Sequence, residues 1–504
     1  MSTTLVRDLL EAGAEGDVAL SAPGRDDLSY GALRAHCARL RRQLAARGIG
    51  PGDRVAIVLP NGPEMATAFL GVASGLSSAP LNPNYKQSEY AFYLEDLKPK
   101  LVIIAAGSDN PVREAAEALG IPVAEARVGA DDPAGAFSLW DEEADDSTPA
   151  PDDEALVLHT SGTTSRPKVV PLTQANLHAS AGNIARTLAL TPQDHCLNIM
   201  PLFHIHGLIA VVLSSMKAGA SVCCTPGFNA LKFLDLALEQ KPTWYSGVPT
   251  MHQAILLRAK RNPDAVKQLN FRFVRSSSAS LPPAVFKQLA ETFDCPVIEA
   301  YGMTEATHQM ASNPLGDGRQ KPGFVGLPAG PEIRILDQMG QEMPQGEVGE
   351  VCIKGANVTP GYENNPKANE ESFTDGWFRT GDEGLLDPDG YLKITGRIKE
   401  IINRGGEKVS PLEVDDTFME HPAVQQIVTF ALPHKMLGEE VAAAVVLADG
   451  AEVTEQELKD YAADKLAAFK IPKRFVFVDE IPKGATGKLQ RIGLHEKLGL
   501  GEDA

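Results

Sequence analysis

Residues 159–171 read HTSGTTSRPKVVP, a run of small, hydroxylated and basic side chains that stops at two adjacent valines, Val169 and Val170. An apolar run, 155–158 (ALVL), leads into it, and a helical pattern begins at Thr173 (TQANLHAS). A strand that enters a polar, glycine-bearing turn and leaves it as a helix is a building unit of α/β folds. Glycine lets the backbone bend and come close to a ligand. Hydroxyls and backbone N–H groups donate to phosphate oxygens, and Lys168 adds a cation. The composition suits a phosphate cradle. It is not a Walker A loop, because no second glycine precedes the lysine and no Ser or Thr follows it. A polar surface turn would share this composition.

The same alternation runs outward from that stretch. Residues 54–59, 100–105, 221–224, 243–246, 272–275 and 296–299 read as short buried strands, and 64–76, 230–240, 250–260 and 283–293 as helices. This pattern predicts an α/β body with largely parallel, stacked sheets. From 332 to 354 short strands with Gly and Pro between them predict a small antiparallel sheet or barrel. A βαβ-like unit follows, with strands 424–432, 440–447 and 474–478 and a helix over 454–466. The segment GRIKE (396–400) is the expected boundary, dividing a large domain, 1–396, from a small α+β domain, 397–504.

The chain has 504 residues, too many for one ordinary core. Its net charge is −19, and no basic run offsets it, which argues against nucleic acid as the main partner. A few basic groups in a cleft would still bind a small anion. The six cysteines are scattered without a C-x-x-C pair, so free thiols in a reducing compartment are expected rather than a disulfide framework or a zinc site. No apolar run is long enough for a signal peptide or a bilayer span, and the last residues, LGLGEDA, carry no targeting address. The expected location is the cytoplasm, away from membranes.

Thr160–Lys168 resembles the phosphate loop of the adenylate-forming superfamily, which includes acyl-CoA synthetases, luciferases and peptide-synthetase adenylation domains. Four further stretches resemble that family's motifs in order: YGMTE (301–305), GWFRTGD (376–382), GRIKE (396–400) and PKGATGK (482–488). Five ordered motifs across more than 300 residues are far more specific than any one of them. The match departs at Val169, where the family has glycine. If that glycine uses a positive φ, a β-branched residue must shift the loop or carry strain. If it only provides room, valine would do little. The first case would weaken the grip on pyrophosphate and raise the KM for ATP.

The resemblance implies an enzyme that joins ATP and a carboxylic acid into an acyl-adenylate and passes the acyl group to CoA. Thr160, Ser161, Gly162, Thr163, Thr164 and Lys168 would cradle the β- and γ-phosphates. Ser278, Ala279 and Ser280 would form the adenine-contacting turn. Tyr301, with Gly302 after it, would lie against the adenine, and Asp382 and Arg397 would hold the ribose. Thr304 would bond the α-phosphate, and Glu305 would hold Mg2+. Lys488, from a mobile C-terminal domain, would bridge the carboxylate and the α-phosphate. Lys399 would be the hinge, and Gly405 and Gly406 would border the CoA site.

His204 matches the family's F-H-x-x-G pattern as a gate to the acid pocket; peptide-synthetase domains usually carry Asp there, which argues against an amino acid substrate. His206 and His308 offer donors to an anion, Ser277, Ser278 and Ser280 add hydroxyls, and Trp244 and Tyr245 could close the pocket. His204 and His206 lack a third ligand and make a weak metal site. The segments around these residues most resemble the oxalate–CoA ligase branch. Malonate ligases typically place Arg before the Tyr of YGMTE, where this chain has Ala300. Oxalate or another short polar acid is therefore expected. The alternatives are a medium-chain fatty or aryl acid, or loading of a separate carrier protein.

Overall fold

The computed structural model describes residues 4–160, 167–316, 318–483 and 489–500. Two large sheets organise the first three quarters of the chain. One has nine strands, with six neighbours running parallel in the spatial order Val297–Met303, Phe273–Ser276, Trp244–Gly247, His195–Asn198, Ser221–Cys224 and Val18–Ser21. The other has six strands, parallel except where Glu154–His159 meets Val169–Thr173. Strands buried on both faces read as continuous apolar runs, which is why the alternation was legible without a period-two pattern.

Helix Pro63–Ala73 shows what joins the layers. Every residue but Glu64 is buried, and one apolar cluster takes in its side chains together with residues of both sheets. A helix apolar all round needs cover on all sides. Segment His206–Leu213 is buried throughout in the same cluster and winds as a π-helix, a form common at functional sites. A Cβ on Gly207 would lie 2.4 Å from the Pro201 carbonyl oxygen, so only glycine permits this approach.

The antiparallel sheet expected from 332–354 is present and larger: Glu332–Leu336 and Gly349–Lys354 are joined by Phe373–Thr374, Trp377–Leu386 and Leu392–Arg397. Strand Leu392–Arg397 carries the chain one residue past 396 before the turn Ile398–Glu400. Beyond it lies a five-stranded sheet in which Val424–His434 and Gly438–Leu447 form a long antiparallel pair. Helix Glu455–Ala463 then returns the chain to Arg474–Phe477, parallel to Gly438–Leu447, completing the βαβ unit. Polar contacts that join this sheet to the body include Gln426 donating to Gln253 (3.1 Å) and the Arg261–Asp449 ion pair at 2.8 Å.

Val169 is ordinary strand backbone. It pairs with His159, and its buried side chain belongs to the apolar cluster that also holds Val157 and Tyr90. The strained, positive-φ alternative is thereby removed at this residue, because the antiparallel partner strand holds it extended. Val169→Gly should cost about 2–3 kcal/mol of stability through lost apolar burial and added backbone freedom, with the KM for ATP unchanged within about twofold. Urea unfolding and initial-rate kinetics check both halves.

Candidate active site

The parallel strands of the nine-stranded sheet deliver their C-terminal ends to one place, the usual ligand crevice of an open α/β sheet. Strand Phe273–Ser276 runs into Ser277, Ser278, Ala279 and Ser280, and strand Val297–Met303 carries Tyr301 and Gly302 into the short 3₁₀ turn Thr304–Ala306. The turn closes through Thr307 N–H to the Thr304 carbonyl at 2.9 Å. Gly302 is dictated by crowding: a Cβ there would lie 1.9 Å from the His308 carbonyl oxygen.

Three expected nucleotide residues meet directly. Tyr301 donates its hydroxyl to Asp382 Oδ2 at 2.5 Å, and Arg397 Nε donates to Asp382 Oδ1 at 2.8 Å. Asp382 and Arg397 face each other across paired strands. The Asp382 charge raises the Arg397 guanidinium above its ordinary value, and burial pushes the Tyr301 phenol well up. Asp382 thus accepts from two sides. Ser278 sits at φ 74°, with Ala279 and Ser280 exposed beyond it.

Glu305 is buried, and Tyr362 donates its hydroxyl to Glu305 Oε1 at 2.7 Å. Lys168 Nζ stands 4.2 Å from the centre of the Tyr362 ring. Burial raises the Glu305 carboxyl and lowers the Lys168 ammonium. A lysine, an aromatic ring and a carboxylate so stacked suit a cation held by phosphates. Among the described residues no cluster of three His, Cys, Asp or Glu could hold a metal by itself. One carboxylate plus substrate phosphates is the usual way Mg2+ is bound. Thr160 and Lys168 close the base of the expected phosphate loop, Thr160 N–H to the Lys168 carbonyl at 2.9 Å and Lys168 N–H to Thr160 Oγ1 at 3.1 Å. Ser161, Gly162, Thr163 and Thr164 lie outside the described residues, as does Lys488.

The acid-side residues divide. His206 is fully buried, with Nδ1 3.0 Å from Ser278 Oγ and Nε2 2.7 Å from Ser246 Oγ. The His308 ring lies edge-on to it at 5.0 Å. His204 is half-buried in the preceding turn and accepts from His206 N–H at 3.3 Å. Tyr245 does not join them. Successive strand residues face opposite ways, so Ser246 looks toward His206. Tyr245 packs in a separate core with Phe233, Phe271 and Phe293. Trp244 stacks on Phe273 in the main core and closes nothing. The Ser277 hydroxyl is committed to the Ala300 carbonyl at 2.8 Å. Sequence reasoning missed Tyr362, Ser246, Gln309 and Arg275. For Arg275 a signal existed, a charged residue at the end of an apolar strand.

Lys399 is exposed in the turn Ile398–Glu400. Gly405 and Gly406, at φ 58° and 99°, form a two-residue hairpin between the paired Arg404 and Glu407. Positive φ at both central positions suits a primed turn and favours glycine.

The chain belongs to the AMP-binding enzyme family, whose model matches residues 11–363; the model of that family's C-terminal domain matches 413–488. It is 46% identical to an oxalate–CoA ligase of Arabidopsis thaliana over 483 residues, 94% of each chain. It is 44% identical to an oxalate–CoA ligase of Saccharomyces cerevisiae, covering 87% of this chain and 86% of the other. ATP-bound MatB from Rhodopseudomonas palustris superposes with a TM-score of 0.88 at 30% identity over 98% of both chains; its apo form scores 0.78 at the same identity and coverage.

Proposed function

We propose that this enzyme is an ATP-dependent acid–CoA ligase whose acid is oxalate. Acid–CoA ligation by way of an AMP ester follows from the family and from relatives spanning nearly the whole chain. The choice of oxalate rests chiefly on one observation: a polar cluster adjoins the half-buried Ser278, with His206 held between Ser246 and Ser278 beside His308. A short polar acid can exchange hydrogen bonds with this cluster, and a fatty or aryl tail cannot.

In this reading Asp382 accepts from the ribose hydroxyls, with Arg397 and Tyr301 fixing its direction. Ser278, Ala279 and Ser280 and the face of Tyr301, with Gly302, bound the adenine. The loop Thr160, Ser161, Gly162, Thr163, Thr164 and Lys168 takes the outer phosphates, and Thr304 the α-phosphate. Glu305 would hold Mg2+, which would supply neutralisation of phosphate charge. The carboxylate oxygen attacks the α-phosphorus and pyrophosphate leaves; the CoA sulfur then attacks the acyl carbon and AMP leaves. Lys488 balances the charge in the first step. Positioning and electrostatic stabilisation are the main catalytic contributions.

The working division is 1–396 and 397–504, with Lys399 in the hinge and Gly405 and Gly406 near the CoA site. The exposed contacts between the two parts, such as Arg261–Asp449, suit a rotation between steps, and the higher score against ATP-bound MatB suits the first of them. The six cysteines, all buried free thiols, suit a reducing compartment such as the cytoplasm. Among the described residues no helix is long and apolar enough to cross a membrane.

Pyrophosphate release measured with CoA over oxalate, malonate, octanoate and cinnamate tests the choice of acid. We expect kcat/KM for oxalate to exceed the others by at least about tenfold, since an unfilled polar pocket discriminates strongly. A faster rate with octanoate or cinnamate would overturn it. Adenylate that discharges only onto a carrier protein, and not onto free CoA, would select the carrier-loading alternative.

A further inference from the structure

Arg275 is the third residue of strand Phe273–Ser276 and is fully buried. Its Nη1 lies 3.3 Å from His206 Nε2 and 3.3 Å from Ser246 Oγ, and its Nη2 donates to Gln309 Oε1 at 3.3 Å. These are long for bonds from a cation, which usually run at about 2.7–2.9 Å to carboxylates. Its Nε has no hydrogen-bond partner. No carboxylate among the described residues offsets the charge, and burial pushes the guanidinium down to about 9. A buried cation with no carboxylate partner is expensive, so its connection through Ser246 and His206 to the half-buried Ser278 asks for an anion there.

The hydrogen bonds have a direction. Arginine only donates, so Ser246 Oγ accepts from Arg275 and turns its own proton to His206 Nε2, 2.7 Å away. Nε2 then offers a lone pair, which leaves the His206 proton on Nδ1, 3.0 Å from Ser278 Oγ. Ser278 accepts that proton and directs its hydroxyl outward from a half-buried turn. Cross-strand pairing of Ser246 with Arg275 fixes the start of this chain. Gln309 is held by its own donors to Thr187 Oγ1 (3.2 Å) and the Ala329 carbonyl (3.1 Å), so its oxygen stays toward Arg275.

Resting on the reading of a short dicarboxylic acid as substrate, we infer that Arg275 is the positioning residue for the second carboxylate. It polarises a one-way relay, Arg275 to Ser246 to His206 to Ser278, that ends in a donor. A carboxylate, which only accepts, fits the end of this relay and supplies the charge that the buried guanidinium lacks. A terminal hydroxyl or methyl group supplies neither. Arg275 touches no reacting atom; its work is to discriminate dianion from monoanion.

The test compares oxalate with glycolate, a monoanion of similar size, in wild type, Arg275→Met, Arg275→Lys and Ser246→Ala. We expect Arg275→Met to lower kcat/KM for oxalate about 10²-fold, chiefly through KM, given the worth of hydrogen bonds to charged groups. The KM for ATP stays within about twofold, and the oxalate-to-glycolate ratio collapses. Arg275→Lys recovers part of the ratio, since it keeps the charge. Ser246→Ala, which interrupts the relay but retains the cation, gives an intermediate loss and stands in if Arg275→Met fails to fold. An unchanged ratio in Ser246→Ala, or equal losses for both acids in Arg275→Met, overturns the inference while leaving oxalate as the substrate. A wild-type enzyme fastest on monoanions overturns the dicarboxylate reading itself and the inference with it.

Discussion

Lys488→Ala should lower the rate of adenylate formation by about 10²–10³-fold, the usual effect of deleting a preorganised group aimed at developing charge. In the first step a carboxylate approaches a phosphate, and both are anions. At 4 Å two unit charges repel by about 1 kcal/mol in water but by about 4 kcal/mol at a protein surface. A single cation between them relieves that repulsion and orients the attack in line. In the second step the acyl-adenylate is already formed, so the same lysine has little left to do. Synthetic oxalyl-adenylate and CoA should therefore react in Lys488→Ala at a rate within a few fold of wild type. Measuring the two half-reactions separately checks the assignment. Adenylation at the wild-type rate would remove Lys488 from the mechanism.

Glu305→Gln should move activity and stability in opposite directions. Glu305 is buried beside Tyr362, and burial raises its carboxyl above the ordinary 4.5. The folded protein then holds this proton more tightly than the unfolded chain does. The sign follows: as pH rises from the ordinary value through the raised one, ionisation of Glu305 lowers the stability of the free protein. Glutamine keeps an acceptor for Tyr362 and removes the charge. Thermal unfolding of the free variant at neutral pH should therefore occur at an equal or higher temperature than wild type. Activity should fall about 10²-fold with a higher Mg2+ requirement, because a hard cation loses its one protein carboxylate. A stabilised but weakened enzyme is the familiar exchange at functional sites. An unchanged Mg2+ titration curve would reassign Glu305 to a structural role.

The residues that were legible in advance share a property: their roles depend on chain-local chemistry. Asp382 and Arg397 sit at the ends of recognisable motifs, and the structure brings them together with Tyr301. Gly302, Gly207, Gly405 and Gly406 were visible as glycines, and the crowding or backbone angle at each gives the reason. Tyr245 was misplaced because its position was judged by composition. Strand parity sends it to one core and its neighbour Ser246 to the other face. Tyr362 was invisible because it lies 57 residues from Glu305, its partner.

The α/β class is written in the sequence, and its ordered motifs carry the resemblance that implies adenylate-forming chemistry. Apolar runs, turn residues and ordered motifs act over a few residues, and each leaves its mark in the local text. Only the tertiary structure decided which side chains share a wall. Arg275, Ser246, His206 and Ser278 come from three separate segments. Only folding turns them into a directed chain of hydrogen bonds, because sheet pairing and the buried π-helix set their distances. Val169 follows the same rule. Alone it is an anomaly in a phosphate loop; opposite His159 it is one more residue of a strand, held extended by its partner and covered by the core.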